Sequence, residues 1–212
     1  MIEHALAPPS SPFSRARPVP CWVPVRSLGQ RHRARALEHL LALGEADRVL
    51  RFGHLASDER LRQYVALLDF ERDAVFGVFD RRLRLSALVH LAFEADGHAA
   101  EFGVSVRPSL RGRGLGTLLF DHAVMHARNR GVRTLFIHLA RDNAPMLSIV
   151  RQAGAEIAFE GAEAQAQLPL PADTLGSQLQ ELLGHQASDL DYRLKRQALR
   201  LDTLRSGPLA SG

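Results

Sequence analysis

The stretch Glu101-Phe-Gly-Val-Ser-Val106, followed by Arg111-Gly-Arg-Gly-Leu-Gly116 and a helix expected from about Thr117, decides how this chain folds. Phe102, Val104 and Val106 alternate with Glu101, Gly103 and Ser105, which is the period of a strand and sends the two sets to opposite faces. A glycine-rich turn between a strand and a helix N-terminus lets backbone N–H groups approach an anion closely, where the helix dipole also favours negative charge. The stretch therefore reads as a pyrophosphate cradle, with Arg111 and Arg113 positioned to add charge-assisted bonds. The alternative is a surface turn that uses glycine for positive φ. Two other phosphate loops are excluded. A Walker A loop needs Gly-Lys-Ser/Thr, and the single lysine is Lys195; a dinucleotide fingerprint needs a third glycine where Thr117 stands.

Upstream, residues 22–27 read as a strand and 31–43 as a helix that turns Ala36, Leu37, Leu40, Leu41 and Leu43 inward. Gly44 and Gly53 punctuate the next segment, and Ser57 with Glu59 opens a second helix carrying Leu61, Tyr64, Val65 and Leu68. Residues 74–79 and 83–91 form a hairpin about Asp80, Arg81 and Arg82, and Glu101–Val106 is a third antiparallel strand after the turn at Asp96 and Gly97. Downstream come a helix to about Arg130, a strand over 134–139, a helix over 144–153, and short strands near Ile157 and over 165–168. The expected order is β-α-α-β-β-β-α-β-α-β-β, an α/β (α+β) arrangement.

At 212 residues, 46% hydrophobic and 24% charged, the chain has the profile of a soluble globular protein of one domain or two small ones. Of its 27 basic residues 26 are arginine, but 23 acidic residues are interleaved with them and the formal charge is only +4. That pattern argues against a nucleic-acid partner, which would concentrate charge on one face, and reads as compositional background over most of the chain. One cysteine, Cys21, excludes a disulfide framework and a multi-cysteine metal site. No apolar run is long enough to span a bilayer, and the first twenty residues lack a signal-like apolar stretch, so the expectation is a cytoplasmic protein with no membrane partner. The five prolines within residues 1–20 predict a disordered arm, a folded domain is expected over 21–170, and the leucines of 171–212 recur at helical spacing. That stripe covers either its own domain or a second copy of the chain in a homodimer.

Arg111-Gly-Arg-Gly-Leu-Gly116 resembles the Arg/Gln-x-x-Gly-x-Gly/Ala signature of the GNAT-type N-acetyltransferases, whose loop binds the pyrophosphate of acetyl-CoA. The strands Ala100–Val106 and Thr134–Leu139 and the segment Asn143-Ala-Pro-Met-Leu-Ser-Ile-Val-Arg-Gln-Ala-Gly154 strengthen the likeness, which spans about residues 22–170. Within the family, Ala-Glu-Phe before the loop, Asn-x-x-Met before the last glycine, and Arg48-Val-Leu-Arg51-Phe52 look most like the catalytic domains of Pat-type bacterial protein lysine acetyltransferases. The resemblance implies a mixed, mostly antiparallel central sheet flanked by helices, here with an added C-terminal helix. It also implies transfer of an acetyl group from acetyl-CoA to a primary amine, of a protein lysine or a small molecule, by direct attack in a ternary complex.

An alkylammonium of pKa about 10.4 must lose a proton before it can attack a thioester, at a cost of roughly 4.6 kcal/mol at neutral pH, so a base is needed. Glu101 matches the glutamate that serves as base in Pat-like relatives; the plainer reading is a strand-end carboxylate satisfied by arginine. The same resemblance implies that main-chain groups of Val104 and Val106 bond the pantetheine arm and that the amides of Gly112, Arg113, Gly114, Leu115, Gly116 and Thr117 hold the phosphates. Gly103 would let cofactor or acceptor approach closely. Asn143 matches the family asparagine near the thiol end, and it can also cap the helix that follows. Many relatives place a tyrosine where this chain has Val150, so no general acid is assigned. His122 and His126, at i and i+4, lack a third partner for a metal, and His90 and His138 read as structural or site-lining. A second reading, motivated by the missing tyrosine and the long C-terminal helix, is a catalytically silent acyl-CoA-binding sensor or interaction module.

Overall fold

The structure is a computed structural model that describes residues 23–170; the arm expected over 1–20 and the helix expected beyond 171 lie outside those residues. A seven-stranded sheet runs in the order β1 (Arg26–Ser27), β2 (Ala74–Phe79), β3 (Leu85–Phe93), β4 (Ala99–Val106), β5 (Thr134–Ala140), β7 (Glu163–Pro169) and β6 (Glu156–Glu160). Every neighbouring pair is antiparallel except β4 and β5. The helices are α1 (Arg33–Leu41), α2 (Glu45–Phe52), α3 (Asp58–Leu67), α4 (Leu115–Asn129) and α5 (Ala144–Gln152).

Both faces of β2 are covered, which is why its residues read as a continuous apolar run. Val75 and Phe79 pack with Ala36, Leu40, Leu61 and Val65 under α1 and α3, while Ala74, Phe76 and Val78 join Phe102, Phe120 and Leu135 under α4 and α5. In the second core Phe102 of β4 meets Phe120 of α4 edge to face, with ring centroids 5.3 Å apart, a geometry worth about 1 kcal/mol beyond burial. His122 and His126 present their rings edge-on to Phe76.

Two expectations change. The first strand is short: only Arg26 and Ser27 pair, with Gly77 and Phe76, because Pro24 has no N–H to give to the ladder. The second change is an added helix. Gly44 and Gly53 do not simply interrupt the chain but bracket α2, Gly44 at its N-cap and Gly53 closing it in the left-handed region at φ 76°. The following helix begins where expected, with the Ser57 hydroxyl accepting from the Arg60 N–H at 3.3 Å.

The arginine excess also gains a structural meaning. Arg33 of α1 donates to the carbonyls of Val65, Ala66 and Leu68 at the end of α3, and Arg48 of α2 donates to those of Leu41, the last residue of α1, and Leu43 just after it, to that of Ala56, and to Asp58 at 2.7 Å. A guanidinium's fan of N–H donors suits the carbonyls that a helix C-terminus leaves unpaired.

His39 ties α1 to the sheet. It is fully buried, with Nδ1 3.1 Å from the Leu85 carbonyl and Nε2 2.9 Å from the Ser105 hydroxyl. A carbonyl only accepts, so Nδ1 carries the proton and Nε2 accepts from Ser105. Burial holds its pKa down to about 4, from an ordinary 6.5. The unfolded chain therefore binds a proton at His39 between those values and the folded chain does not. This contribution is complete above pH 6.5 and drains away as the pH falls toward 4. Urea unfolding at pH 7 and 4.5 should show it costing about 2 to 3 kcal/mol over that window, with the loss markedly smaller in His39→Gln.

Candidate active site

The site is built where β4 leaves β5. These strands pair in parallel only from Ala99–Glu101 to Thr134–Phe136; beyond Glu101, β4 keeps β3 on one edge while β5 continues against β7. Residues 102–106 thus have a strand on one side only. Above this fork lies a cleft of about 460 Å³. The end of α2 contributes Arg51 and Phe52, and α3 contributes Tyr64. The floor is made by His90 of β3 and by Glu101 and Gly103 of β4, and the far wall by His138 of β5 and Glu163 of β7.

The Glu101 carboxylate is exposed into this cleft and forms no ion pair or hydrogen bond with another described residue. The plainer reading of an arginine-satisfied carboxylate therefore does not hold within residues 23–170. Gly103 differs from expectation: the space over it, expected to admit cofactor or acceptor, is taken by the Arg51 guanidinium, against which any Cβ at 103 would collide. Arg51 also lies over the rings of Phe52 and Tyr64, 4.8 and 5.8 Å from their centroids, and donates from Nη2 to the Tyr64 hydroxyl at 2.9 Å.

From Tyr64 a hydrogen-bonded chain runs into the protein: its hydroxyl lies 2.7 Å from His90 Nδ1, His90 Nε2 lies 3.0 Å from Asp73 Oδ2, and Asp73 Oδ1 accepts from Arg72 Nε at 2.9 Å. Burial works against the Asp73 charge, yet the bonds from Arg72 and His90 hold its carboxyl below the usual range. Burial also pushes His90 down, with Asp73 opposing, and pushes the Tyr64 phenol up, with Arg51 opposing. These roles set the direction of the chain. The Asp73 carboxylate can only accept, so His90 Nε2 bears the proton, its Nδ1 is bare, and the Tyr64 O–H donates to it.

The glycine-rich turn leads into α4 as expected, though the helix starts at Leu115. Gly112 and Gly114 sit at φ 70° and 76°, where a side chain would strain the backbone, and the space around both is open. The first bond of the helix runs from the Leu118 N–H to the Gly114 carbonyl, so the N–H groups of Leu115, Gly116 and Thr117 have no acceptor inside the helix. This is a donor set that fits a diphosphate. Leu115 turns its side chain into the core and offers only backbone, whereas Arg113 is exposed beside the turn. Arg111 points elsewhere: its Nη2 pairs with Asp47 of α2 at 2.7 Å and its Nε donates to the Val106 carbonyl at 3.2 Å. The Val104 side chain packs on the core below α4, as does that of Val106, leaving their main chain on the open stretch of β4. Asn143 caps α5, its Oδ1 accepting from the Met146 N–H at 3.2 Å, and Val150 is completely buried.

The sequence places Glu101 and Gly103 on one strand face and leaves His90 and His138 as structural or site-lining; the structure brings all four to one cleft and adds what Arg51, Tyr64 and Asp73 do together. The signal in Arg51-Phe52 was present; its meaning depended on α2, a helix that the local pattern did not predict.

Comparison with known proteins agrees with this architecture. The GNAT domain of S. lividans PAT superposes with a TM-score of 0.58 at 20% identity, covering 69% of this chain and 89% of that one. The ribosomal-protein-S18-alanine N-acetyltransferase from Escherichia coli gives 0.52 at 18% identity, covering 71% and 96%. The spermidine N-acetyltransferase from Vibrio cholerae, in a complex with CoA and spermine, gives 0.53 at 16% identity, covering 68% and 92%. No curated protein matches the sequence. The family model described as "Acetyltransferase (GNAT) family" matches residues 35–154, from α1 to the turn after α5. That span holds the forked strands, the turn of Gly112 and Gly114 and all of the polar cleft except its β7 wall: the chain belongs to the GNAT family of acetyltransferases, which take the acetyl group from acetyl-CoA.

Proposed function

We propose that this protein moves the acetyl group of acetyl-CoA to a primary amine, with Glu101 as a base for the acceptor nitrogen. The observation that carries this reading is the unpaired Glu101 carboxylate exposed in a cleft at the fork of β4 and β5. The free amides of Leu115, Gly116 and Thr117 begin the helix next in sequence. In this reading those amides, with Gly112, Gly114 and Arg113, take the diphosphate of acetyl-CoA, and the main chain of Val104 and Val106 takes the pantetheine arm. Arg111 stabilises the turn by linking it to Asp47 of α2. Asn143 holds the start of α5 through its cap and lies toward the thiol end.

The amine attacks the acetyl carbonyl carbon, a C–N bond forms, the C–S bond breaks and the sulfur leaves with the electron pair. Glu101 takes a proton from the nitrogen during this exchange. Val150 has no proton to give, so the thiolate is protonated by the proton that Glu101 has taken up. The acceptor enters the cleft beside the Arg51 guanidinium, between Glu101 of the floor and Glu163 of the far wall, where two carboxylates outweigh the one guanidinium and favour a cationic amine.

CoA release from acetyl-CoA, followed with a thiol reagent in the presence of a lysine peptide, spermidine or an amino acid, tests this reading. Release should depend on an amine, and Glu101→Gln should lower kcat by about 10²-fold or more while the acetyl-CoA KM changes little. Acetyl-CoA binding without turnover by any amine would favour the sensor instead. Arg113→Ala should raise the acetyl-CoA KM by about tenfold at unchanged kcat, as expected for one charge-assisted bond. Gly103→Ala should displace the Arg51 guanidinium, which sits at the end of a flexible side chain. Its melting temperature should barely move, while kcat/KM drops by about 10²-fold through misplacement at the cleft floor.

A further inference from the structure

Converting an alkylammonium to an amide removes two protons from nitrogen, one before attack and one as the C–S bond breaks. Glu101 holds one proton at a time. The second needs a route, and a continuous hydrogen-bonded chain already opens onto the cleft. The Tyr64 hydroxyl accepts from Arg51 Nη2 and donates to His90 Nδ1, leaving one lone pair on its oxygen without a described partner. His90 Nε2 donates to Asp73, whose side chain is 3% exposed.

We infer that Tyr64, His90 and Asp73 form a proton relay, in which Tyr64 takes the first proton of the acceptor ammonium and passes its own hydroxyl proton to His90. This rests on the amine-acetylation reading above. In the step, an ammonium N–H bond breaks and the proton binds the Tyr64 oxygen; the Tyr64 O–H bond breaks and that proton binds His90 Nδ1. The resulting imidazolium is stabilised by the Asp73 carboxylate at 3.0 Å. The second nitrogen proton goes through Glu101 to the CoA sulfur, and the first returns to solvent from His90, which lines the open cleft. Both protons and the electron pair are thereby accounted for. Tyr64 is the member that meets substrate; His90 and Asp73 act through it, Asp73 by fixing the tautomer that keeps Nδ1 bare.

The charged and titratable groups facing His90 are Arg51 from α2, Tyr64 from α3, Asp73 from the turn just before β2 and Glu101 from β4, with Arg72 behind Asp73. Burial and Arg51 keep His90 neutral to below its usual pKa, and Asp73 and Glu101 work the other way. The relay is open while His90 is neutral and closes when acid protonates Nδ1.

Two measurements on the full chain test it. Nitrogen-15 shifts of His90 at pH 7 should report a neutral ring protonated at Nε2; a ring protonated at Nδ1, or charged, would overturn the relay whatever the activity. The second compares wild type with Tyr64→Phe and His90→Gln on an acetyl-blocked lysine peptide at pH 7 and pH 10. At pH 7, where solvent leaves almost all of a lysine amine protonated, kcat should fall by about tenfold or more in each variant; near pH 10 solvent supplies free amine and the deficit should close to about twofold. An equal deficit at both pH values marks the chain as packing only and sinks the relay. Wild type that binds acetyl-CoA but acetylates no amine instead overturns the transferase reading, on which the relay rests.

Discussion

Three residue pairs hold the molecule's functional geometry: Ala99, Ala100 and Glu101 of β4 against Thr134, Leu135 and Phe136 of β5. This short parallel contact joins an antiparallel block of β1 to β4 to a second one of β5 to β7, and it stops at the residue whose side chain is the candidate base. Longer pairing would close the fork and cover the main chain of residues 102–106. With no pairing, the two blocks would lose their common core, in which Phe102, Phe120, Leu135 and Ile137 are almost fully buried. The same strand is thus apolar on its α4 side, while its other side carries Glu101, exposed in the cleft, Gly103 beneath Arg51, and Ser105 beneath His39.

The polar side is held together by groups that satisfy one another. Arg51, Tyr64, His90 and Asp73 come from α2, α3, β3 and the turn before β2, and each supplies the donor or acceptor its neighbour lacks. Such a network is stiff because a missing member leaves a buried polar group unpaired. Gly103 belongs to it without making a hydrogen bond, since only hydrogen at that position leaves room for the Arg51 guanidinium.

Arginine serves this protein mainly as a connector. Arg33 and Arg48 close helix ends, Arg111 joins the glycine turn to α2, and Arg51 roofs the strand floor. Each uses several donors of one planar group, which lysine could not match. The basic pI therefore reflects internal wiring in these places and carries little information about a partner.

Local rules made most of the framework legible. An apolar run marked β2 and period-two alternation marked β3 and β4 within a few residues, Ser57 marked the start of α3, and the spacing of Gly112 and Gly114 marked a glycine turn before α4. The sequence also determined that Glu101 and Gly103 share a face, because a strand allows no other arrangement. Only the tertiary structure decided what lies over that face. Helix α2 is eight residues long with no fully buried side chain, so its identity as a helix depends on caps and on its seat above the sheet. The union of Arg51, Tyr64, Asp73 and His90 spans 40 positions of chain and obeys no local period. It exists because β2, β3 and β4 pair in a particular register and two helices pack across them.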